Sequence, residues 1–366
     1  MKLTLPRLSL PESFSFGRRT RPLIGLDITT SSIKLVELGF SGGKYRVESY
    51  AAEATPRGAI NEKAIIDAEA VGEAIKRAVK RAGARSKEVA IAISGDAAIT
   101  KLIQMPVGLS QRDLEAQVEL QADQYIPFPM EEVSYDFEVL GVSARDPGMN
   151  DVLLVATRTE NVDQRQVAVS TAGLTAHIVD VEAFALERAC QLMNYQMTDA
   201  GAGRVVAVVD FGASTTTFSV LSDRRVVYTR DFAFGGQQLT EEVMRTYGLS
   251  VEEAGRAKKE GGLPANYQPE VLDPFIDDMT QQVSRSMQFY LASANNREQP
   301  ELILVCGGCA NIPGVAEVIS SRVGLPAERG DPLGQMQLSS KAKAMGVRKD
   351  STALLVACGL ALRSFD

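Results

Sequence analysis

Two stretches of the chain share one hydrophobic pattern: an apolar run ending near an aspartate, a turn of small polar residues, and a second apolar run. They are residues 24–38 (IGLDITTSSIKLVEL) and 208–222 (VVDFGASTTTFSVLS). A further strand is predicted after each, at residues 45–50 and 226–232. Aligning the copies gives four correspondences: Asp27 with Asp210, Thr29 with Gly212, Ser31 with Ser214, and Lys34 with Thr217.

The duplicated turn has the composition of an anion site. Backbone N–H groups and hydroxyls of such a turn form a concavity for an anion, while the carboxylate can hold a hydrated divalent cation against it. A single D-x-G turn is a common hairpin, so the duplication is the informative feature. Two such hairpins facing each other would clamp a polyphosphate from both sides.

The rest of the first half predicts a mixed sheet covered by helices. Hairpin-length turns at residues 29–32 and 41–43 indicate an antiparallel start. A helix is predicted over residues 61–82 and a buried strand over 89–94, the strand–helix–strand order of a parallel crossover.

Residues 96–180 predict a small inserted α+β unit. Ser110 and Asp113 begin a helix that stops before the prolines at 127 and 129. The other elements predicted here are strands at 99–104, 133–140, 151–157 and 176–181 and a helix at 159–172.

The second half begins after a glycine-rich linker at residues 198–203. Predicted domains are therefore residues 22–204 and 205–366, the latter with a smaller subdomain over about 236–298. Predicted helices are 182–193, 239–247, 250–259, one starting at Asp273-Pro274, 315–322 and 352–364, and a buried strand is predicted at 302–306.

Composition favours a soluble globular protein. Of 366 residues, 45% are apolar and 23% charged, and the net charge of −7 argues against broad nucleic-acid binding or a general attraction to anionic membranes. Four cysteines form no disulfide framework, which favours a reducing cytosol. The chain has no transmembrane run, and basic residues 1–21 are interpreted as a flexible tail rather than a docking arm.

These motifs together resemble the actin-like ATPase superfamily. Its marks are two strand–Asp–turn–strand loops and a strand–Gly–Gly loop, found here at Asp27, Asp210 and Gly307-Gly308. Within it, residues 121–141 (QADQYIPFPMEEVSYDFEVLG) and 172–186 resemble the PilM family of type IV pilus machines. The resemblance implies an α/β actin-like two-domain fold of duplicated RNase H-like halves around a cleft, with an FtsA-type inserted subdomain.

The same resemblance implies ATP with Mg²⁺ as the ligand. Each phosphate loop is expected to contact the phosphates, although Lys34 could instead be an exposed strand lysine. Thr29 replaces the family's usual glycine, and a β-branched residue tolerates a positive φ poorly. We therefore expect the first loop to have a different backbone or to bind more weakly, and a Thr29→Gly change to leave binding intact or tighten it. The implied phosphate contacts are Thr30, Ser31, Ser32, Lys34, Gly212, Ala213, Ser214 and Thr215.

Three carboxylates carry the implied metal and catalytic roles. Asp27 and Asp210 would hold Mg²⁺ through water, or alternatively cap turns at strand ends. Glu182 falls where chaperone-type members orient the attacking water, as phosphoryl transfer requires. Its alternative is a helix N-terminal glutamate favoured by the helix dipole.

The resemblance also implies a nucleoside site. A glutamate that often binds the ribose is replaced by Gly255, for which Glu252 or Glu253 could compensate. The implied nucleoside contacts are Gly236, Lys258, Gly307, Gly308 and Asn311.

Three other features are interpreted as structural. Cys306 and Cys309 could form a redox pair or half a zinc site, but we favour the interpretation that they are small packing residues of the adenosine loop. His177 is predicted to be a strand residue without a catalytic task. The C-terminal helix is predicted to be buried rather than membrane-binding, because it lacks a basic face.

The function implied by the resemblance is a cytoplasmic ATP-binding component of the pilus assembly platform, recruited to the inner face of the inner membrane. Its implied partner is the N-terminal cytoplasmic peptide of a PilN-like protein, besides other platform components and copies of itself, but no nucleic acid. The alternatives are a filament-forming cytoskeletal ATPase like FtsA or MreB, and a small-metabolite kinase of the same fold. Any ATP turnover is expected to be slow.

Overall fold

A computed structural model describes residues 22–293 and 298–366. The predicted flexible tail, residues 1–21, lies outside the described residues. The strands of the described part are β1 (Ile24–Ile28), β2 (Ser32–Ser41), β3 (Lys44–Ala54), β4 (Ile60–Asn61), β5 (Ala64–Ile65), β6 (Glu88–Ile93), β7 (Ile99–Pro106), β8 (Val133–Val142), β9 (Met149–Arg158), β10 (Thr175–Val181), β11 (Val205–Phe211), β12 (Thr216–Ser222), β13 (Arg225–Phe232), β14 (Leu302–Gly307), β15 (Ala327–Arg329) and β16 (Gln337–Leu338).

The α-helices of the described part lie between and after these strands, and the connections include short 3₁₀ turns and one π-helical turn, Gln268–Leu272. None of the described helices combines the length and apolar character that a membrane crossing requires. The α-helices are α1 (Ala68–Ala82), α2 (Gln111–Tyr125), α3 (Thr159–Thr171), α4 (Glu182–Cys190), α5 (Gly236–Tyr247), α6 (Val251–Glu260), α7 (Asp273–Ala292), α8 (Val315–Val323), α9 (Ser340–Ala344) and α10 (Leu355–Ala361).

Internal contacts divide the chain into two units. The first comprises Met1–Arg188, Gln337–Met345 and Val356–Asp366, and the second comprises Ala189–Met336 and Gly346–Leu355. The predicted boundary between residues 204 and 205 assigned the whole C-terminal part to the second half. The structure differs because β16 pairs with β3 and because α10 packs against elements of the first unit.

The first unit is built on a six-stranded sheet in the order β10-β6-β1-β2-β3-β16. β1, β2 and β3 are antiparallel neighbours, whereas β6 runs parallel to β1, which confirms the predicted crossover. Helix α1 buries an apolar face that includes Val71, Ile75 and Ala78 against this sheet. The predicted helix over 61–82 was wrong at its start: Asp67 caps α1, and β4 and β5 form a two-residue hairpin before it.

A separate three-stranded sheet in the order β7-β9-β8 is inserted into the first unit. Helix α2 covers it through Leu114, Val118 and Ala122. The insertion is shorter than predicted, because β10 pairs with β6 and α3 packs into the main core.

Helix α10 confirms the predicted burial of the C-terminal segment. A Cβ at Gly359 would lie 1.8 Å from the carbonyl oxygen of Ala185, and one at Gly25 would lie 2.0 Å from that of Ala357. Glycine at these two positions therefore lets α10 approach both α4 and β1 more closely than any other residue would permit.

The second unit repeats the pattern with a five-stranded sheet in the order β13-β12-β11-β14-β15. β11 and β12 are antiparallel, and β14 runs parallel to β11. Helix α7 buries one apolar line in this unit's core, made of Phe275, Met279, Val283, Met287 and Tyr290.

Candidate nucleotide site

The two aspartate turns share their strand register and the hydrogen bond that closes them. Asp27 pairs with Lys34 in the register of β1 and β2, as Asp210 pairs with Thr217 in that of β11 and β12. These register positions confirm the sequence alignment of the copies. Each turn is closed by one backbone bond: Thr29 N–H donates to Ser32 O at 3.0 Å, and Gly212 N–H donates to Thr215 O at 3.1 Å.

Thr29 fits its turn without strain, so the premise that this position requires a positive φ was wrong. The residue does not adopt a positive φ. Its hydroxyl donates to Ser32 O at 2.8 Å and accepts from Ser32 N–H at 3.2 Å. Thr55 Oγ1 donates to the carbonyl of Thr29 at 2.7 Å. The threonine supplies hydrogen bonds that glycine cannot make.

Asp27 and Lys34 form a shielded ion pair on the first loop. Lys34 Nζ lies 2.8 Å from Asp27 Oδ2, and the two side chains are 16% and 7% exposed. The alternative that Lys34 is an exposed strand lysine is therefore wrong. Ser31 is exposed at the tip of the loop, with Thr30 and Ser32 half-buried beside it.

The second loop is packed against the start of α5. The carbonyl of Gly212 accepts from Gly236 N–H at 3.0 Å, and that of Ala213 accepts from Gln237 N–H at 2.8 Å. A Cβ at Gly235 would lie 2.4 Å from Ala213 O. Gly235, which the sequence analysis did not single out, thus allows the close approach. Ser214 and Thr215 complete this loop and are half-buried.

Lys258 extends from α6 to the same place. Its Nζ donates to Gly236 O at 2.7 Å and to Thr240 Oγ1 at 2.6 Å. Burial lowers its pKa. A partly desolvated ammonium beside the second loop suits an anionic ligand.

The Gly307-Gly308 loop follows β14 and lies directly beside Asp210. Gly307 has a φ of +86°, and a Cβ there would lie 2.5 Å from Asp210 Oδ1. Thr352 Oγ1 donates to Gly307 O at 2.8 Å. Sequence reasoning missed Thr352, which arrives from the 3₁₀ turn Val347–Ala353.

Asn311 is exposed at the end of the following 3₁₀ turn, and its amide donates to Lys349 O at 3.2 Å. On α6, Glu253 closes a capping box with Ser250, and these hydrogen bonds lower its pKa. Of the two glutamates considered as substitutes at Gly255, Glu253 is therefore already engaged in capping.

The two cysteines of the Gly-Gly loop are buried thiols. Burial raises the pKa of Cys309 to about 11 and that of Cys306 as well. Since the thiolate is the reactive and metal-binding form, protonated thiols suit the packing interpretation. Cys309 Sγ lies 3.9 Å from Gly212 O, so it fills space between the two loops of this unit. His177 lies exposed on β10, which confirms its placement on a strand.

Glu182 begins α4 directly after β10 and forms an ion pair. Lys63 Nζ lies 3.0 Å from Glu182 Oε2, with the side chains 18% and 23% exposed. Lys63 sits in the β4–β5 turn at a φ of +66°. Arg165, which is 4% exposed, donates to the carbonyl of Lys63 at 3.2 Å. The sequence analysis missed Lys63 because it placed residues 61–82 in a helix.

The duplicated sheets, each with an Asp turn, define a protein of the actin-like fold. A solved structure of the EutJ ethanolamine utilization protein from Carboxydothermus hydrogenoformans has this fold too: it is 18% identical, covers 93% of this chain and 90% of its own, and has a TM-score of 0.54. The chain belongs to the family of type IV pilus assembly protein PilM, whose model matches residues 25–365.

Two further relatives refine the comparison. A chain of the solved PilM–PilN type IV pilus biogenesis complex is 27% identical, with a TM-score of 0.77, over 95% of this chain and 99% of that one. The cell division protein FtsA of Agrobacterium fabrum is 27% identical over 179 residues, or 42% of this chain. The match spans 39% of the length of that FtsA.

Proposed function

We propose that this protein is the ATP-binding component of a type IV pilus assembly platform and that it binds the N-terminal cytoplasmic peptide of a PilN-like inner-membrane protein. The observation that carries the proposal is the near-complete structural match to a chain of the PilM–PilN complex. Such a partner would recruit a cytoplasmic protein to the inner face of the inner membrane.

Four neighbouring segments of the second unit support nucleotide binding. Hydrogen bonds or close contacts join the Gly212–Thr215 loop, the start of α5, Lys258 and the Gly307-Gly308 turn. In this proposal the loop backbone and Lys258 hold phosphate, and Gly308, which has open space beside its Cα, receives the nucleoside.

Mg²⁺ is the cation that the donor set suits. The described residues contain no cluster of three or more His, Cys, Asp or Glu side chains that could hold a metal by themselves. Mg²⁺ is commonly bound through one or two carboxylates together with phosphate oxygens and water. Asp27 and Asp210 would serve in that role, and the metal would neutralise phosphate charge.

The first-unit carboxylate Glu182 is the group that we propose orients water for a slow hydrolysis, with Lys63 fixing its carboxylate. Phosphoryl transfer depends mainly on such positioning. The hydrolysis would reset binding of the partner rather than make a metabolite.

A peptide-capture experiment tests the proposal. Immobilised N-terminal peptide of a PilN-like protein should retain the protein, and Mg²⁺ with an ATP analogue should change the amount retained. A scrambled peptide is the control. Equal retention by both peptides would contradict the partner assignment, and unchanged retention with nucleotide would contradict the linkage.

A filament-forming role is the second candidate, because part of the chain is related to FtsA. Pelleting with ATP in the absence of any peptide binding would favour it. Rapid turnover that depends on an added small metabolite would instead favour a kinase.

A further inference from the structure

The 3₁₀ turn Val347–Ala353, called the supporting turn below, holds the Gly307-Gly308 loop at two points. The hydroxyl of Thr352, which is buried, donates to Gly307 O at 2.8 Å. Farther along the loop, the side-chain amide of Asn311 donates to Lys349 O at 3.2 Å. Because both contacts come from one short turn, the position of the supporting turn sets the position of the loop.

Asp331 in turn holds the supporting turn. Ser351 Oγ donates to Asp331 Oδ1, and Arg348 Nη1 lies 3.8 Å from Asp331 Oδ2. Ser351 is 4% exposed and the Asp331 side chain 23% exposed, and such shielding strengthens a hydrogen bond relative to one in water. Ser351 is also the residue next to Thr352 in the sequence. The carboxylate of Asp331 therefore reaches the Gly307-Gly308 loop through two successive hydroxyl residues.

Residues outside the supporting turn fix Asp331 in place. Its backbone N–H donates to Gln196 Oε1 at 2.9 Å, and its carbonyl accepts from Tyr195 Oη at 2.9 Å. The backbone N–H of Leu333 donates to Asp331 Oδ1 at 3.0 Å, which orients the carboxylate as well as the backbone. Asp331 thus has a defined orientation before it contacts the supporting turn.

The chain before Asp331 lies directly against β14, the strand that leads into the Gly307-Gly308 loop. Gly330 N–H donates to Val305 O at 2.9 Å. A Cβ at Gly330 would lie 2.4 Å from Cys306 Sγ, so glycine permits an approach that a larger residue would prevent. Asp331 is therefore anchored to the same strand end whose loop it supports, as a residue that positions a binding loop must be.

Part of this network has a purely structural explanation. Arg348 also donates to Leu333 O at 2.7 Å and to Met336 O at 3.2 Å, and these two bonds close the segment between β15 and β16. They would serve the same purpose in a protein without a nucleotide site. The hydrogen bond between Ser351 and Asp331 differs, because it fixes the residue adjacent to Thr352.

We propose that Asp331 is a positioning residue for nucleoside binding and acts through Ser351 and Thr352 on the Gly307-Gly308 loop. This role rests on the proposed function, which places the nucleoside beside Gly308. The groups proposed to hold phosphate belong to other elements, the β11–β12 turn and α6. Loss of Asp331 should therefore weaken recognition of the nucleoside and leave recognition of the phosphates.

Competition binding with two ligands tests the role of Asp331 on the full-length chain with Mg²⁺. ATP carries the nucleoside and the phosphates, whereas inorganic tripolyphosphate carries the phosphates alone, and both displace a fluorescent ATP analogue. Asp331→Ala should weaken ATP binding about tenfold, the equivalent of one lost hydrogen bond to a charged group, and should leave tripolyphosphate within about twofold of wild type. Unchanged ATP binding, or equal losses for both ligands, would overturn the role proposed for Asp331.

Ser351→Ala keeps the test decisive where Asp331→Ala is too unstable for binding to be measured. It changes no charge and removes only the hydroxyl that joins Asp331 to the supporting turn. We expect the same selective loss for ATP, about threefold to tenfold. Asp331→Asn, which keeps an oxygen that can accept from Ser351, should retain most of the ATP affinity. Wild-type ATP affinity in Ser351→Ala would exclude the route through this hydroxyl.

Asp277→Ala is the matched control. It removes an aspartate from the same unit, and its partner, 2.6 Å away, is Arg322 on α8 rather than a residue of the supporting turn. It should change neither affinity, and an ATP loss equal to that of Asp331→Ala would contradict the assignment. Wild-type protein that binds neither ligand would reject the proposed function itself. Normal wild-type binding without a selective loss in the variants would reject only the role of Asp331.

Discussion

The ammonium of Lys63 lies 3.0 Å from the carboxylate oxygen Oε2 of Glu182, across 119 residues of sequence. The turn that presents Lys63 is held by Arg165, which also donates to Ala92 O at 2.9 Å. Burial lowers the pKa of Arg165, and nearby Glu182 opposes that shift. Lys63 and Arg165 thus connect the carboxylate of Glu182, the candidate water-orienting group, to the main sheet.

Replacing Lys63 by Met should slow ATP turnover about tenfold to a hundredfold while leaving nucleotide affinity unchanged. The reason is that Glu182 loses the contact that orients it, and small misplacements of catalytic groups carry costs of this size. Single-turnover hydrolysis and equilibrium binding measure the two quantities. Lys63→Arg should retain most of the rate.

Lys76→Met is the matched control for this change, because it removes an exposed lysine that pairs with Glu73 on α1. It should leave turnover alone. Wild-type turnover in Lys63→Met would remove the role proposed for the pair.

Replacing Thr29 by Gly should destabilise the first unit and should not tighten nucleotide binding. The change removes two hydrogen bonds to Ser32 and adds backbone freedom, which together cost about 1–2 kcal/mol. Denaturant unfolding measures the effect, and Thr29→Ser, which keeps the hydroxyl, should lose less. Tighter nucleotide binding by the glycine variant would contradict this prediction and would indicate that Thr29 strains the loop.

Alanine should lower stability at Gly307 but lower nucleotide affinity at Gly308. At Gly307 a Cβ would meet Phe211 O at 2.2 Å and the backbone has a positive φ, so Gly307→Ala should destabilise by about 2–4 kcal/mol. At Gly308 the space is open, so stability should hold while nucleotide affinity falls if the nucleoside lies there. Thermal unfolding and nucleotide titration separate these outcomes; equal stability of the two variants would contradict the steric argument.

The pair of Asp180 and Arg363 should dominate the stability of the C-terminal segment. Their side chains are 1% and 2% exposed, and Arg363→Met should cost about 3–5 kcal/mol by leaving a carboxylate buried without its partner. Adding Asp180→Asn should recover much of that loss. Urea unfolding is the measurement. Failure of the double variant to recover would locate the cost in packing or in the contact of Arg363 Nε with Asp366 Oδ2 at 3.2 Å.

Arg322→Met is the comparison for this pair. Arg322 Nη1 lies 2.6 Å from Asp277 Oδ1, but both side chains are about half exposed. The change should therefore lower the free energy of unfolding by less than about 1 kcal/mol.

Alkylation of Cys309 should be slow at neutral pH and accelerate as the pH rises toward about 11. Burial raises its pKa to about 11, so about one thiol in a thousand is ionised at pH 8. Lys258 opposes this shift, so Lys258→Met should move the profile to still higher pH. Mass spectrometry of iodoacetamide adducts, with Cys309→Ser to assign the site, follows the rate. Fast labelling at pH 7 would revive the redox interpretation.

Sequence pattern predicted what is local and periodic. Predicting the helix that begins at Ser250, the start of α7 and the duplicated Asp turns needed only neighbouring residues. The contact of Lys63 with Glu182 needed the fold, because nothing local marks a lysine as the partner of a glutamate 119 positions away.

The inserted unit shows the same limit at its boundary. Its strands were predicted, but the assignment of β10 depended on which strand it pairs with, and that is a tertiary fact. Thr352 was missed because it follows β14 by many residues in the sequence, and only the fold brings its hydroxyl to the carbonyl of Gly307.

The return of α10 to the first unit has a consequence during synthesis. The strands β1 to β3 emerge from the ribosome early, yet the helix that packs against Gly25 is translated only after nearly all of the second unit. Domains that are contiguous in sequence can fold as they emerge, whereas this one must wait for its last piece. The apolar surface that α10 will cover is thus exposed for most of translation, and a stalled or truncated product would present it to chaperones and proteases.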